Sequence, residues 1–547
     1  MPPASFALLE QTARAARSLR WDRGGLAGYQ SVRFSGPFGG YTSHYAPDSV
    51  PQSPNQRGVT KATDSLNCYS RPFGLITSFP GHANINSVAA NSGKAITGLS
   101  WMGQISQRLL VAVQGKVGFD DSGTWTELTG APTITDDDDN FMDVAYLNDV
   151  AVLTFLSKNA PLKVATPFTA TTTLGGSPRS GVKGCFSWDG RLWLVSDQNV
   201  DYSAINNAES YDLTDDTLNF LQTTGAGSSD GTIITSWTVA GDSVYIGMGG
   251  TNAILGHLFR IYRTGNPAQP YGFERIDTGG IGPIASKAAV MVGQDLVFLA
   301  SDGNIYPVRG NVFIPNGIGR SIQRDLIADY SKTRLPYASI GLLREHGYLG
   351  LSVSLSGAST NARGFWYDYL NSQPGQEERE FWHPTDHAIN AWGERISGGQ
   401  RQLVTGGYDG FYERQLSGDS YAGAAYTKRW IGPWHLLGDP YQWYDVLGVA
   451  VAFEPTGAFD VSFAYAKDFS NSFTTVGTFE VSGGAELGSF VLGTDVLGGE
   501  EYGVAYLPIG QVMQRIKPRF TNTTVSQPFN IASYAFLVRP VFRGLAV

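Results

Sequence analysis

The sequence predicts an all-β chain whose centre is a β-propeller, and three observations carry that prediction. A hairpin of alternating apolar residues recurs seven times, with its second strand legible at Leu109 in RLLVAV, Val152 in VAVLTF, Leu192 in RLWLV, Val244 in SVYIG, Leu296 in DLVFLA, Tyr348 in GYLGLS and Leu403 in QLVTGG. The spacings are 43, 40, 52, 52, 52 and 55 residues, a mean of 49, and a period near fifty built from hairpins is the pattern of propeller blades. The residues between first and second strands accept positive φ: Asn148-Asp149, Asp189-Gly190, Gly241-Asp242, Gly293-Gln294 and His346-Gly347. The composition agrees, with 67 glycines, 12% aromatics and only 16% charged residues against about 25% in an average globular protein. The count predicts about seven blades, with six to eight as the range that a divergent first or last blade allows.

The elements follow in order. Residues 3–20 read as a helix, with Phe6, Leu9, Ala13 and Ala16 at helical spacing and Arg14, Arg17 and Arg20 off that stripe. Residues 21–80 are rich in Gly, Pro and Ser and read as an extended arm. Residues 1–80 are therefore an N-terminal helix and arm, 81–425 the propeller, and 426–547 a C-terminal antiparallel β-sandwich. The sandwich rests on strand-like alternation at 442–466, broken by Pro455-Thr456-Gly457, and on strands at 474–481, 501–507, 512–520 and 531–543. Third strands are clearest in SDGNIYPV (301–308) and GYDGFYER (407–414). Insertions are expected at 205–232 and 370–388, and a short helix at 321–330. Stacking four-stranded sheets radially covers faces that a single sheet leaves open, with Trp188, Trp193, Phe298 and Trp366 filling the wedges.

The bulk numbers exclude several classes. At 547 residues the chain is too long for one ordinary core. A formal net charge of −9 argues against a general nucleic-acid-binding surface and suits a conduit to which nucleic acid does not stick. Two cysteines, Cys68 and Cys185, make no disulfide framework and are expected as buried thiols. No stretch approaches the ~20 apolar residues of a membrane span, and MPPASFALLEQ has no basic region ahead of an apolar core, so neither a membrane span nor a secretory signal is predicted.

Catalytic constellations are not legible. His383 and His387 stand four apart in HPTDH, but Pro384 favours a loop and no Glu follows His383 as a zinc-protease pattern requires. Asp136, Asp137, Asp138 and Asp139 form the most acidic run, without the alternation or the sharp glycine turn of a calcium loop. They read as a solvated loop between blades or as a patch facing a partner or a pore. DDSGTWTEL (120–128) resembles the Asp-box turn of sialidases, one residue short and present once. A glycosidase needs two opposed carboxylates; Asp368 and Glu377 are candidates that sequence does not pair. No cofactor, metal or catalytic residue is predicted.

Taken in order, the motifs resemble a family. They are the early GG-L arm from Asp22 to Leu26, Arg71, Pro72 and Gly74 in an R-P-x-G run, RLW with YSAINNAESYD (191–212), and ITSW (234–237). GIGPIAS (280–286), FLASDGNIY (298–306), FWYDY (365–369) and TGGYDGFYER (405–414) follow. Together, over roughly 20–540, the chain resembles the β-propeller tail nozzle, packaged-DNA stabilisation or tail hub proteins of short-tailed bacteriophages. That resemblance implies a structural role in the virion tail, for a protein made in the bacterial host cytoplasm. Copies would form a ring, sixfold, that retains packaged DNA and conducts it during ejection. The implied partners are further copies of the chain, portal-adaptor proteins, tail fibres or spikes, and genomic DNA passing without sequence-specific contact. Arg14, Arg17, Arg20 and Asp136 to Asp139 are the candidate partner- or channel-facing residues. The alternative is a carbohydrate-binding or glycan-hydrolysing propeller.

Overall fold

The computed structural model describes residues 30–35, 38–41, 60–69, 75–103, 107–130, 132–156, 158–220, 232–249, 256–328, 330–372, 380–454, 460–480 and 503–541. They fall into two compact units, one of Ala83–Leu370 with Asp386–Gln415, the other drawn from Met1–His82, Asn371–Thr385 and Leu416–Val547. The helix expected at 3–20, with Arg14, Arg17 and Arg20, lies outside the described residues.

The first unit is a succession of antiparallel sheets. The first holds Ile96–Trp101, Leu109–Val113, Lys116–Asp121 and Thr124–Glu127; the second Met142–Leu147, Val150–Phe155, Leu162–Ala165 and Thr171–Thr173. The third holds Gly184–Trp188, Arg191–Val195, Asn199–Tyr202 and Thr217–Asn219; the fourth Ile233–Ala240, Ser243–Gly249, His257–Asn266 and Gln269–Ile276. Ala289–Val292, Asp295–Leu299, Ile305–Arg309 and Val312–Phe313 make the fifth, and Ser339–Leu343, Tyr348–Val353 and Arg363–Asp368 form the meander of the sixth. The last joins Ala391–Ser397, Gln400–Gly406 and Tyr412–Gln415 to His82–Asn84 from the far end of the chain.

The seven repeat anchors all sit on the second strands of these sheets. The turns ahead of them take the expected conformation, with Asn148 at φ 52°, Asp189 at 55°, Gly241 at 59°, Gly293 at 63° and Gly347 at 69°. The first strand of each sheet packs on the first strand of the next, from Ile96–Trp101 round to Ala391–Ser397 and back to Ile96–Trp101. A closed cycle of sheets around an axis is a β-propeller. Trp193, Trp366, Trp188 and Phe298 are buried between sheets, as expected. Close to the axis some positions have no room for a side chain. A Cβ at Gly184 would stand 1.9 Å from Cζ2 of Trp237, so glycine is what admits that indole.

The second unit has two six-stranded sheets. One contains Gln30–Ser35, Cys68–Tyr69, Ile76–Ser78, Trp443–Glu454, Gly503–Met513 and Asn530–Val541. The other contains Asp64–Leu66, Lys428–Ile431, His435–Leu436, Asp460–Lys467, Thr474–Glu480 and Arg515–Asn522. Both contribute to one core, which includes Phe34, Val449, Phe463, Phe479, Phe520 and Tyr534. The sequence reading set 1–80 apart from 426–547, whereas here Gln30–Ser35 pairs along Asn530–Val541 and Asp64–Leu66 pairs with Lys428–Ile431. An extended Gly- and Pro-rich segment satisfies its backbone groups by joining ladders that other strands offer.

Smaller expectations also meet the structure. The helix expected at 321–330 is Gln323–Ala328, preceded by the 3₁₀ turn Arg320–Ile322. The stretch 205–232, read as an insertion, contributes the strand Thr217–Asn219, and 370–388 contributes Trp382–Thr385, so His383 and Pro384 are on a strand rather than in a loop. Cys68 and Cys185 are free, buried thiols, and burial pushes the pKa of both upward. Among the described residues no helix is long and apolar enough to cross a membrane.

Candidate functional site along the propeller axis

The first strands line the axis, and polar residues on them reach across it. Asp143, on Met142–Leu147, accepts hydrogen bonds at Oδ2 from the Cys185 backbone N–H at 3.2 Å and from the Trp237 indole N–H. Its Oδ1 receives Lys287 Nζ at 3.0 Å. A single carboxylate of the second sheet thus ties the third and fourth sheets and Lys287, just ahead of the fifth. The backbone continues the tie, because Ile340 N–H donates to the Lys287 carbonyl at 2.7 Å. Trp392 Nε1 donates to Ser339 Oγ at 3.0 Å, joining the sixth and last sheets. A cavity of about 220 Å³ lies beside these groups, lined in part by Asp143, Lys287, Ser339 and Trp392.

The acidic run lies at the N-terminal ends of these strands, where it pairs with cations. Asp136 pairs with Lys94, Asp137 with Lys158, and Asp139 with Arg334 through a two-pronged contact of 2.7 and 3.1 Å. The hydrogen bond from Lys158 holds the Asp137 carboxyl below its usual range, while burial and the adjacent Asp139 push Asp138 upward. Asn390 donates to the carbonyls of Ile96 and Asp138, at 2.9 and 3.0 Å, and accepts from Tyr408 OH at 2.9 Å. Tyr408 OH in turn receives the Asn361 N–H at 2.8 Å. The four aspartates are therefore brought together, and three of them are neutralised by cations of the same unit.

The opposite mouth opens into a cavity of about 1050 Å³ lined by Trp101, Tyr146, Phe186, Val239 and Ile396 among others. Among the described residues that line it there is no carboxylate. The other sequence candidates lie elsewhere. Asp368 is buried at the end of Arg363–Asp368, and Glu377 is outside the described residues. His387 Nε2 meets Glu413 Oε2 at 2.7 Å, and His383 packs edge-on against Tyr69. DDSGTWTEL is a hairpin turn in which Asp120 Oδ1 accepts from the Gly123 N–H at 3.1 Å and from the Tyr412 hydroxyl. Sequence reading missed Asp143, Trp237 and Lys287. The available signal was one acid inside the otherwise apolar strand MDVAYL.

No protein-family model matches this chain, and no curated protein does. Solved structures similar to it include the computationally designed Ika8 protein, at 12% identity and TM-score 0.35 over 61% of this chain and 99% of that one. The WD40 β-propeller domain of Doa1 is similar at 10% identity and TM-score 0.37 over 61% and 97%. The β-propeller domain of Cps50 (Swd1) from Myceliophteria thermophila is similar at 11% identity and TM-score 0.39 over 61% and 98%.

Proposed function

We propose that this chain is a structural component of a bacteriophage tail, a nozzle or hub subunit whose copies form a sixfold ring around the DNA exit channel. In this reading the first unit is a seven-bladed propeller and the second a β-sandwich, built on 426–547 and extended by N-terminal strands. The ring retains packaged DNA in the virion and conducts it during ejection, seated against portal-adaptor proteins and carrying fibres or spikes. The observation that carries the reading is the Asp143–Lys287–Trp237 tie. A propeller whose own axis is crossed by such contacts is a stiff block and not itself a pore, which in this reading leaves the conduit to lie between copies. The order of motifs along the chain supports the same reading. The cavity at the open mouth favours a second one, glycan binding on its aromatic lining, though the described lining residues include no opposed carboxylates for hydrolysis.

The test is negative-stain microscopy of the purified chain, alone and mixed with tail-complex fractions. Rings, or stable incorporation into tail particles, are expected. A chain that joins no such particle and binds on a glycan array overturns the reading in favour of the second. The same assay on a truncation lacking residues 1–30 asks whether that segment ties subunits together; normal assembly of the truncation removes that role.

A further inference from the structure

The strand Arg515–Asn522 reads RIKPRFTN, three cations and no acid in a chain of net charge −9. Alternation along a strand sends Ile516, Pro518 and Phe520 to the buried face and Arg515, Lys517 and Arg519 to the other. Each cation is set on an aromatic ring. Arg515 Cζ lies 4.5 Å from the Phe469 ring, Lys517 Nζ 5.8 Å from Trp434, and Arg519 Cζ 4.5 Å from Phe473. Stacking of this kind fixes the direction of the charged heads and leaves them fully charged. A fourth cation comes from the neighbouring strand, where Arg429 pairs in register with Thr521. Arg429 Nη2 bonds Asp64 at 2.9 Å, so its charge is already paired within the sheet. Burial and the Arg429 charge both hold the Arg519 guanidinium below its ordinary pKa. Among the described residues no carboxylate pairs with the side chain of Arg515 or Arg519. Asp468, at the end of the stripe, accepts from the backbone N–H groups of Gln514 and Arg515 instead.

We infer that this sheet face is a sequence-independent contact for the phosphodiester backbone of nucleic acid. Three features select that partner. Alternate residues of a strand stand about 6.8 Å apart, and an axial rise of 3.4 Å per phosphate on a duplex strand, wound round the helix, puts neighbouring phosphates roughly 7 Å apart. Three of the four cations are arginines, whose planar fork matches phosphate oxygens. Phe469, 45% exposed, adds an aromatic edge beside the stripe. The inference deepens the tail reading in naming where DNA touches the protein, and it rests on that reading only for which nucleic acid is met. With so few cations on the face, a passing duplex is guided without being held tightly.

The experiment is fluorescence anisotropy of a labelled duplex of ~25 base pairs with the full chain, titrated from ~20 to ~200 mM salt. Binding is expected at low salt, with log K falling against log salt at a slope of about −3, and unchanged by scrambling the base sequence. Arg515→Gln, Lys517→Gln and Arg519→Gln are each expected to reduce the slope by about one. Arg309→Gln, which removes a cation already bonded to Asp295, is expected to leave binding unchanged. Absence of binding at low salt, or an unaltered slope in the triple variant with native circular dichroism, overturns the inference. Displacement by polyglutamate as effective as by unlabelled duplex, at equal charge, assigns the face to an acidic protein partner and overturns it too. Duplex binding by a chain that never forms rings supports the stripe while counting against the tail reading, so the two fail separately.

Discussion

Asp143 and Lys287 lie 144 positions apart in sequence and meet across the propeller axis, Nζ to Oδ1 at 3.0 Å. The carboxylate that receives the ammonium also takes the Trp237 and Cys185 N–H groups, so its acceptor capacity is used on two other sheets and on the segment that leads into a third. Both side chains are largely withdrawn from water, Asp143 20% and Lys287 26% exposed, where an unmade contact is costly.

Asp143→Ala is expected to destabilise the chain by about 2–4 kcal/mol, because it strands an ammonium and an indole N–H together. Asp143→Asn keeps an acceptor and should cost less. Urea midpoints of the two variants give the comparison. Equal, near-native midpoints would show that the tie contributes nothing.

Arg334–Asp139 and Lys94–Asp136 both tie down the acidic run but differ in burial. Their side chains are 15% and 14% exposed in the first pair, and 40% and 56% in the second. A two-pronged, sheltered guanidinium contact outweighs an exposed lysine pair. Double-mutant cycles should return a coupling of about 1–2 kcal/mol for Arg334–Asp139 and under ~0.5 kcal/mol for Lys94–Asp136. The reverse order would contradict the assignment of the acidic run as a staple.

Asn86 fastens the two ends of the propeller. Its Oδ1 accepts from the Tyr412 N–H at 3.0 Å, and its Nδ2 donates to the carbonyls of Gly410 and Val88 at 3.0 and 2.8 Å. Asn86→Ala leaves buried backbone groups unpaired and should cost about 2–3 kcal/mol. Amide exchange is expected to rise first in 82–86 and 412–415. Uniform acceleration across all sheets would mean that the closure is not the weak point.

His435 is fully buried, its Nε2 2.6 Å from the Tyr534 hydroxyl and its ring against Phe34. Burial lowers its pKa to about 3. The unfolded imidazole, with a pKa near ~6.5, then binds a proton that the folded one refuses. Stability from this group is complete above about pH 6.5 and is lost as pH falls towards 3, at up to about 1.4 kcal/mol per pH unit. His435→Gln should flatten that part of the pH profile. A profile parallel to wild type would remove His435 as its cause.

The propeller was legible because its signals are local. Hairpin turns at Asn148, Asp189 and Gly293 demand special φ, and second strands such as RLLVAV and VAVLTF are short apolar runs that survive divergence. The role of Gln30–Ser35, Asp64–Leu66 and Ile76–Ser78 was not legible, since a strand that joins a distant sheet carries no periodicity of its own. Asp136–Asp139 could be seen but not interpreted, because their partners Lys94, Lys158 and Arg334 lie on other elements. The stripe at 515–519 was visible as strand alternation, yet its meaning depends on Trp434, Phe469 and Phe473 being beneath it.

The measurement that bears most directly on the central claim is the mass of the purified chain in solution by mass photometry. The account predicts a closed ring, about 350 kDa for six copies of a 58.9 kDa chain, either spontaneously or once tail fractions are added. A single species at the mass of one chain under both conditions would contradict it.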